Sequence, residues 1–153
     1  MNVSDNAGSD TGNLRRVQLS FSSFLFPSND FDNDGRSDIA ISRNNGANRE
    51  WWYRKSLTTE VAALVFGVPT DKIMPGDYTG DGATDVAFWR PTTGEWFILR
   101  SDDFTYYSLP FGANGDTPVP ADYDGDGKFD VAVFRPSAAT WFVSKSAGGT
   151  LIQ

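Results

Sequence analysis

The sequence contains no cysteine and no histidine. That double absence removes disulfides, thiol nucleophiles, Ser-His-Asp triads and every zinc or copper site that depends on nitrogen or sulfur ligands. Positive charge is also scarce. Thirteen Lys and Arg stand against twenty Asp and Glu, a formal charge of -7, which repels phosphate backbones and anionic lipid alike. A nucleic-acid partner is therefore not expected. The longest apolar run, Val61 to Phe66 continued by Gly67 and Val68, falls far short of the ~20 residues that span a bilayer, and no membrane insertion is expected. Met1 to Gly12 has neither the positive start nor the apolar stretch of a signal peptide. Residues 1–12 read as a disordered leader and 13–153 as the folded module. With no cysteine to report on redox environment, the composition suits either compartment.

What is present is aromatic, glycine-rich and repetitive. Twelve Phe, five Tyr, five Trp and 15 Gly in 153 residues favour β-structure with many turns. Three segments align: Asp30-Phe31-Asp32-Asn33-Asp34-Gly35-Arg36-Ser37-Asp38, Asp77-Tyr78-Thr79-Gly80-Asp81-Gly82-Ala83-Thr84-Asp85 and Asp122-Tyr123-Asp124-Gly125-Asp126-Gly127-Lys128-Phe129-Asp130. Their starts lie 47 and 45 residues apart, a period that marks propellers and solenoids. The register continues through Arg43, Arg90 and Arg135, then Trp51, Trp96 and Trp141, then Ser56, Ser101 and Ser146. Phe66-Gly67 and Phe111-Gly112 precede the second and third loops, as do Pro75 and Pro120.

Each unit divides into about four short strands. Val131-Ala132-Val133-Phe134 is apolar on both pleat faces and is stopped by Pro136. Trp141-Phe142-Val143 reads as a second strand, Phe104 to Leu109 as a third, and the proline-bearing Thr117 to Pro120 as an edge strand. Thr59 to Leu64 has some helical character but occupies a third-strand slot, so the repeat overrides local propensity. Four short strands per ~45 residues is the arithmetic of a propeller blade.

Each loop places oxygen side chains at positions 1, 3, 5 and 9, with glycine at position 6, a spacing that wraps a hard cation. The candidate ligands are Asp30, Asp32, Asp34 and Asp38; Asp77, Thr79, Asp81 and Asp85; and Asp122, Asp124, Asp126 and Asp130. Position 7 (Arg36, Ala83, Lys128) would contribute only its backbone carbonyl, so its side chain is free to vary. An EF-hand would need a bidentate Glu at position 12. Ile41, Phe88 and Val133 stand there, inside expected strands, so the ninth-position Asp must close the shell. Calcium, about three ions per chain, suits this flexible set of carboxylates and a carbonyl better than octahedral magnesium. Metal-free Asp-Gly turns are the bland alternative, set against the mutual repulsion of three or four carboxylates in nine residues.

Paired catalytic carboxylates would be needed once and in unlike environments, whereas these clusters occur three times. No catalytic residue is expected, and the chain does not read as an enzyme. Trp51, Trp96 and Trp141 are expected as packing between units. Trp52 and Trp89, which align with residues of other types, are candidate exposed rings for ligand binding. Arg43, Arg90 and Arg135 are expected to pair with acids or carbonyls of a neighbouring blade.

The string from Asp122 to Pro136, with Phe111-Gly112 and Pro118-Val119-Pro120 ahead of it, closely resembles the FG-GAP/VCBS repeat family, and the likeness spans roughly Asn29 to Ser146. Thr79 departs from the family's usual Asp or Asn, and Ser42 and Asn44 replace the Phe and Pro of its Phe-Arg-Pro pattern. The resemblance implies a calcium-stabilised β-propeller like that of integrin α subunits and some fungal lectins, extracellular or at the cell surface, with the loop aspartates as ligands. Three units do not close a ring, which takes roughly four to eight blades. A homodimer of six blades is expected, each chain lending Val17-Gln18-Leu19-Ser20-Phe21 to the other's last blade; a fragment of a longer propeller is the alternative. The functions expected are a non-catalytic interaction or adhesion scaffold, a carbohydrate-binding lectin, or an accessory domain of a secreted polysaccharide-active enzyme, with a glycan or protein as ligand.

Overall fold

Strand burial sets up the architecture, alternating along Val61–Val65 but continuous in the middle of the chain. In the strand Val86–Arg90 every side chain but the last is buried, as befits a strand covered on both faces. The computed structural model describes residues 29–153. They form β1 (Ile39–Asn45), β2 (Asn48–Arg54), β3 (Val61–Val65), β4 (Lys72–Ile73), β5 (Val86–Arg90), β6 (Glu95–Leu99), β7 (Tyr106–Pro110), β8 (Thr117–Pro118), β9 (Val131–Arg135), β10 (Thr140–Ser144) and β11 (Thr150–Ile152). A single 3-10 turn, Pro136–Ala138, links β9 to β10.

The strands make three small antiparallel sheets, ordered β1-β2-β3, β4-β5-β6-β7 and β11-β10-β9-β8. The all-β expectation and the four-strand unit hold for the second and third sheets. Proline 118 keeps β8 at a sheet edge, where its missing N–H costs nothing. β3 takes the extended form despite its helix-compatible sequence, because its register against β2, Trp51 opposite Leu64 and Tyr53 opposite Ala62, inserts those side chains into the core.

Two clusters hold the sheets together. The first sheet's Trp51, Tyr53, Ala62 and Leu64 meet Val86 and Leu99 of the second. The second sheet's other face, carrying Tyr78, Ala87, Trp89, Trp96 and Ile98, meets Val131, Val133 and Phe142 of the third. The Phe-Gly pairs anchor this packing. The Phe66 carbonyl accepts the Trp51 indole N–H at 2.8 Å, and the Phe111 carbonyl accepts those of Trp96 and Trp89 at 3.0 and 3.1 Å. Gly112 follows at φ 111°, with Val133 and Trp89 so close that a Cβ would touch both.

The last sheet needs no borrowed strand. Its third-strand slot is filled by the chain's own β11, which pairs Ile152 with Phe142 and Leu151 with Val143, and its edge slot by β8. With four strands of its own, this sheet does not require the lent strand that was expected: the second and third sheets each take their edge strand from the residues preceding their loop, as β4 and β8 show. The segment Val17 to Phe21 lies outside the described residues.

Candidate metal loops

All three Asp-rich loops lie at the same place, just before β1, β5 and β9. Their conformation follows from the sequence. Gly35, Gly82 and Gly127 at position 6 have φ of 81°, 88° and 89°, the left-handed region that position requires.

The first Asp folds the loop around its own carboxylate. Asp77 accepts the N–H groups of Gly80 at 2.6 Å and Gly82 at 2.9 Å; Asp122 accepts those of Gly125 at 2.6 Å and Gly127 at 3.0 Å. Asp30 does the same with Asp34 and Gly35. The ninth Asp ties the loop to the following hairpin. Asp38, Asp85 and Asp130 are buried, and each accepts the N–H of Phe31, Tyr78 or Tyr123 on one oxygen and that of Ser56, Ser101 or Ser146 on the other, all within 2.7–2.9 Å. These repeated serines have a second bond. Their hydroxyls donate to the fifth-position Asp34, Asp81 and Asp126 at 2.7, 2.6 and 2.6 Å, whose other oxygens accept the N–H of Arg36, Ala83 and Lys128. The serine bond, more than any other contact, holds the Asp126 carboxyl below the usual range.

Position 3 separates the loops. Asp32 and Asp124 each keep one oxygen, Oδ1, buried and without a hydrogen-bond partner. Burial pushes both carboxyls above their ordinary value, and neighbouring loop carboxylates add to the rise. Carboxylate oxygens of Asp30, Asp32 and Asp38, and of Asp122, Asp124 and Asp130, converge to within 4.8 Å of one another. A buried anionic oxygen with no donor, beside two more carboxylates, is the environment a hard cation relieves. These donor sets fit a divalent ion.

In the second loop Thr79 occupies position 3, and its hydroxyl lies 3.4 Å from Asp77 Oδ1, positioned to donate to it. Asp85, whose carboxyl burial pushes up, accepts the N–H of both Tyr78 and Thr79 on one oxygen. No third carboxylate joins the cluster, and no oxygen of this loop is both buried and unpartnered among the described residues. Two acid clusters able to hold a metal, not three, are therefore present in residues 29–153. Asp34, Asp81 and Asp126 lie outside the clusters, engaged with their serines, and Arg36, Ala83 and Lys128 direct their N–H groups at those same aspartates.

The aromatic candidates resolve differently. Trp89 is 0% exposed. Its register partner is Trp96, on the face packed against the third sheet, so it cannot serve as an exposed ring. Trp52 is half-buried beneath the Arg43 guanidinium, 5.1 Å from its ring centroid. Arg90 over Phe97 and Arg135 over Phe142 repeat that stack at 4.6 Å, so Trp52 follows the repeat in its arginine contact.

Sequence reasoning missed two acids. Arg90 pairs bidentately with the buried Asp71, at 2.9 and 2.8 Å, and Arg135 with Asp116, at 2.8 Å twice. Both aspartates also accept a backbone N–H three residues upstream, from Val68 or Ala113. These pairs lie within one sheet's own unit, not across to a neighbouring blade as expected. Asp71 and Asp116 stand six residues before their loops and 45 apart; the spacing was a usable signal, but the first unit has Phe24 at that place. Arg43 instead bonds Glu50 at 2.9 Å, and Asn45 joins the same carboxylate.

Residues 77–133 carry an FG-GAP-like repeat, by match to that family's model. The matched stretch begins at the first Asp of the second loop and ends in β9, after the third. No curated protein and no solved structure matches the chain.

Proposed function

We propose that the chain is a non-catalytic calcium-binding β-propeller module that serves as an extracellular interaction scaffold. In this reading Asp30, Asp32 and Asp38 hold one ion and Asp122, Asp124 and Asp130 another. The backbone carbonyls of Arg36 and Lys128 would add to these carboxylates toward the six to eight oxygens that calcium takes. The observation that carries the reading is the buried, unpartnered Oδ1 of Asp32 and of Asp124, repeated at equivalent positions. Calcium is preferred to magnesium because the donors are mostly carboxylates on a flexible loop, without the strict octahedron or retained waters that magnesium demands.

The ions have a mechanical role here. Each would bind the first, third and ninth aspartates together, and the ninth already grips the serine of the next hairpin. Ion binding thus clamps loop, strand and hairpin into one piece and presents rigid loop tips to a partner. Ion affinities in the range that extracellular modules use, about 10⁻⁴–10⁻³ M, would suffice where calcium is abundant. The partner would be a protein or a glycan met at those tips. A melting curve in calcium and in excess chelator tests the reading: the melting temperature falls in chelator, and an unchanged melt overturns it.

A further inference from the structure

The two outer faces of the three-sheet array are the two halves of a junction that the chain already builds twice. At each internal junction the carbonyl of a loop's first Asp accepts the N–H of the eighth residue of the next loop: Thr84 to Asp30 and Phe129 to Asp77, both at 2.6 Å. Ser37, the eighth residue of the first loop, and the carbonyl of Asp122 form no such bond among the described residues. The side chains tell the same story. Ile41 is 57% exposed where its counterpart Phe88 is 2% exposed; among the described residues no sheet covers that face of β1. Trp141 is 41% exposed where Trp96 is 0% exposed. With Tyr123, Val143, Leu151 and Gln153, it lines an open cavity of ≈ 270 Å³ on the far face of the third sheet.

The geometry points to a second copy of this chain as the occupant, its first-loop face docked on the third-loop face of its partner and the reverse, giving a closed dimer. The proposal rests on the propeller reading above and names its partner. Residue pairing at the junctions selects this occupant. At the second junction the Phe129 ring lies where a Cβ on Gly76 would be, so the residue before the loop has to be glycine. Ala121 stands at that place on the open face and is incompatible with a phenylalanine opposite; the first loop of this chain offers Ser37. At the fourth position Gly80 is overlaid by the Lys128 side chain, its Cε 2.7 Å from where a Cβ would sit. Gly125 is the open equivalent, with nothing within 4 Å, and the first loop brings the exposed Arg36, a second basic residue at the position of Lys128 and opposite in charge to the acidic third loop. Where the fourth position is not glycine, Asn33 itself reaches the Asp81 carbonyl at 2.9 Å, and position 7 opposite is alanine. Two copies bring six sheets, inside the roughly four to eight of closed propellers, whereas three would bring nine.

Native mass spectrometry of the full chain in calcium, at micromolar concentration, reads subunit number and ion number separately. A dimer of the 16.8 kDa chain is expected. Ser37→Phe should weaken it by about a hundredfold, roughly tenfold at each of two junctions, by overpacking against Ala121. Ser37→Phe with Ala121→Gly should restore the dimer, since the pair then copies Phe129 and Gly76. A monomer overturns the proposal, with or without ions bound. A dimer that Ser37→Phe leaves intact, or that the double variant fails to rescue while both variants keep the wild-type circular dichroism, also overturns it. Absence of calcium in every species would strike the calcium reading alone.

Discussion

Exchanging the third-position residue between loops should move an ion site from one to another. Thr79 makes the second loop self-sufficient by directing its hydroxyl at Asp77, while Asp124 leaves an oxygen buried and unpaired. Asp124→Thr should therefore close the third loop without an ion, and Thr79→Asp should open a new site formed with Asp77 and Asp85. An ion present at one hundred times its dissociation constant stabilises the folded state by about 2.7 kcal/mol. For a chain of this size that corresponds to a rise of about 5–10 °C in melting temperature for each occupied site. Scanning calorimetry with and without calcium would then show the calcium-induced rise roughly halved in Asp124→Thr and enlarged by about half in Thr79→Asp. Without calcium the order should invert, Asp124→Thr melting above the wild type and Thr79→Asp below it, because a crowded carboxylate has been removed or added. Equal calcium-induced rises in all three proteins would refute the reasoning that the third position decides occupancy.

Two further outcomes follow from the charged groups. Arg90→Leu leaves the fully buried Asp71 carboxylate without its bidentate partner and should cost about 3 kcal/mol, read by urea denaturation; a cost under ~1 kcal/mol would show the pair to be dispensable. Without calcium, the Asp32, Asp124 and Asp85 carboxyls are raised, chiefly by burial, so their contribution to stability is present below the unfolded value of about 3.9 and lost as pH rises through the raised values. Asp116 is lowered, first by Arg135, and its contribution is lost only as pH falls below about 3.9. The metal-free protein should thus melt higher on acidification through the range in which these raised carboxyls take up protons, while the calcium-loaded protein melts lower over the same range as protons displace the ion. Melting curves across that range with the same sign of slope in both states would contradict the assignment.

Much of this was legible in the sequence because the fold repeats. Three in-register loops located β1, β5 and β9, and the repeat overrode the helical look of residues 59–64 where β3 forms. The proline-bearing edge strand was legible for the same physical reason that places it there. Other features were hidden because the sequence does not say which lone pairs are already used. The fifth-position Asp reads like any ligand until its serine hydroxyl and backbone N–H partners are in view. Thr79 reads as a weaker ligand, yet its hydroxyl is placed to donate to Asp77 where an aspartate would add a third carboxylate. Trp89 read as free of the repeat because Ser42 and Phe134 align with it, but strand parity places it beside Trp96 on the buried face. The lent strand was expected because counting from loop to loop assigns the proline-bearing edge strand to the preceding unit, whereas β8 pairs with β9 of the following one.

The central claim is that the loops of Asp32 and Asp124, and not that of Thr79, hold calcium. Isothermal titration of the chelator-stripped chain with calcium measures this directly. The account predicts two ions per chain, falling to one in Asp124→Thr and rising to three in Thr79→Asp. A stoichiometry of zero, or of three in the unaltered chain, would contradict it.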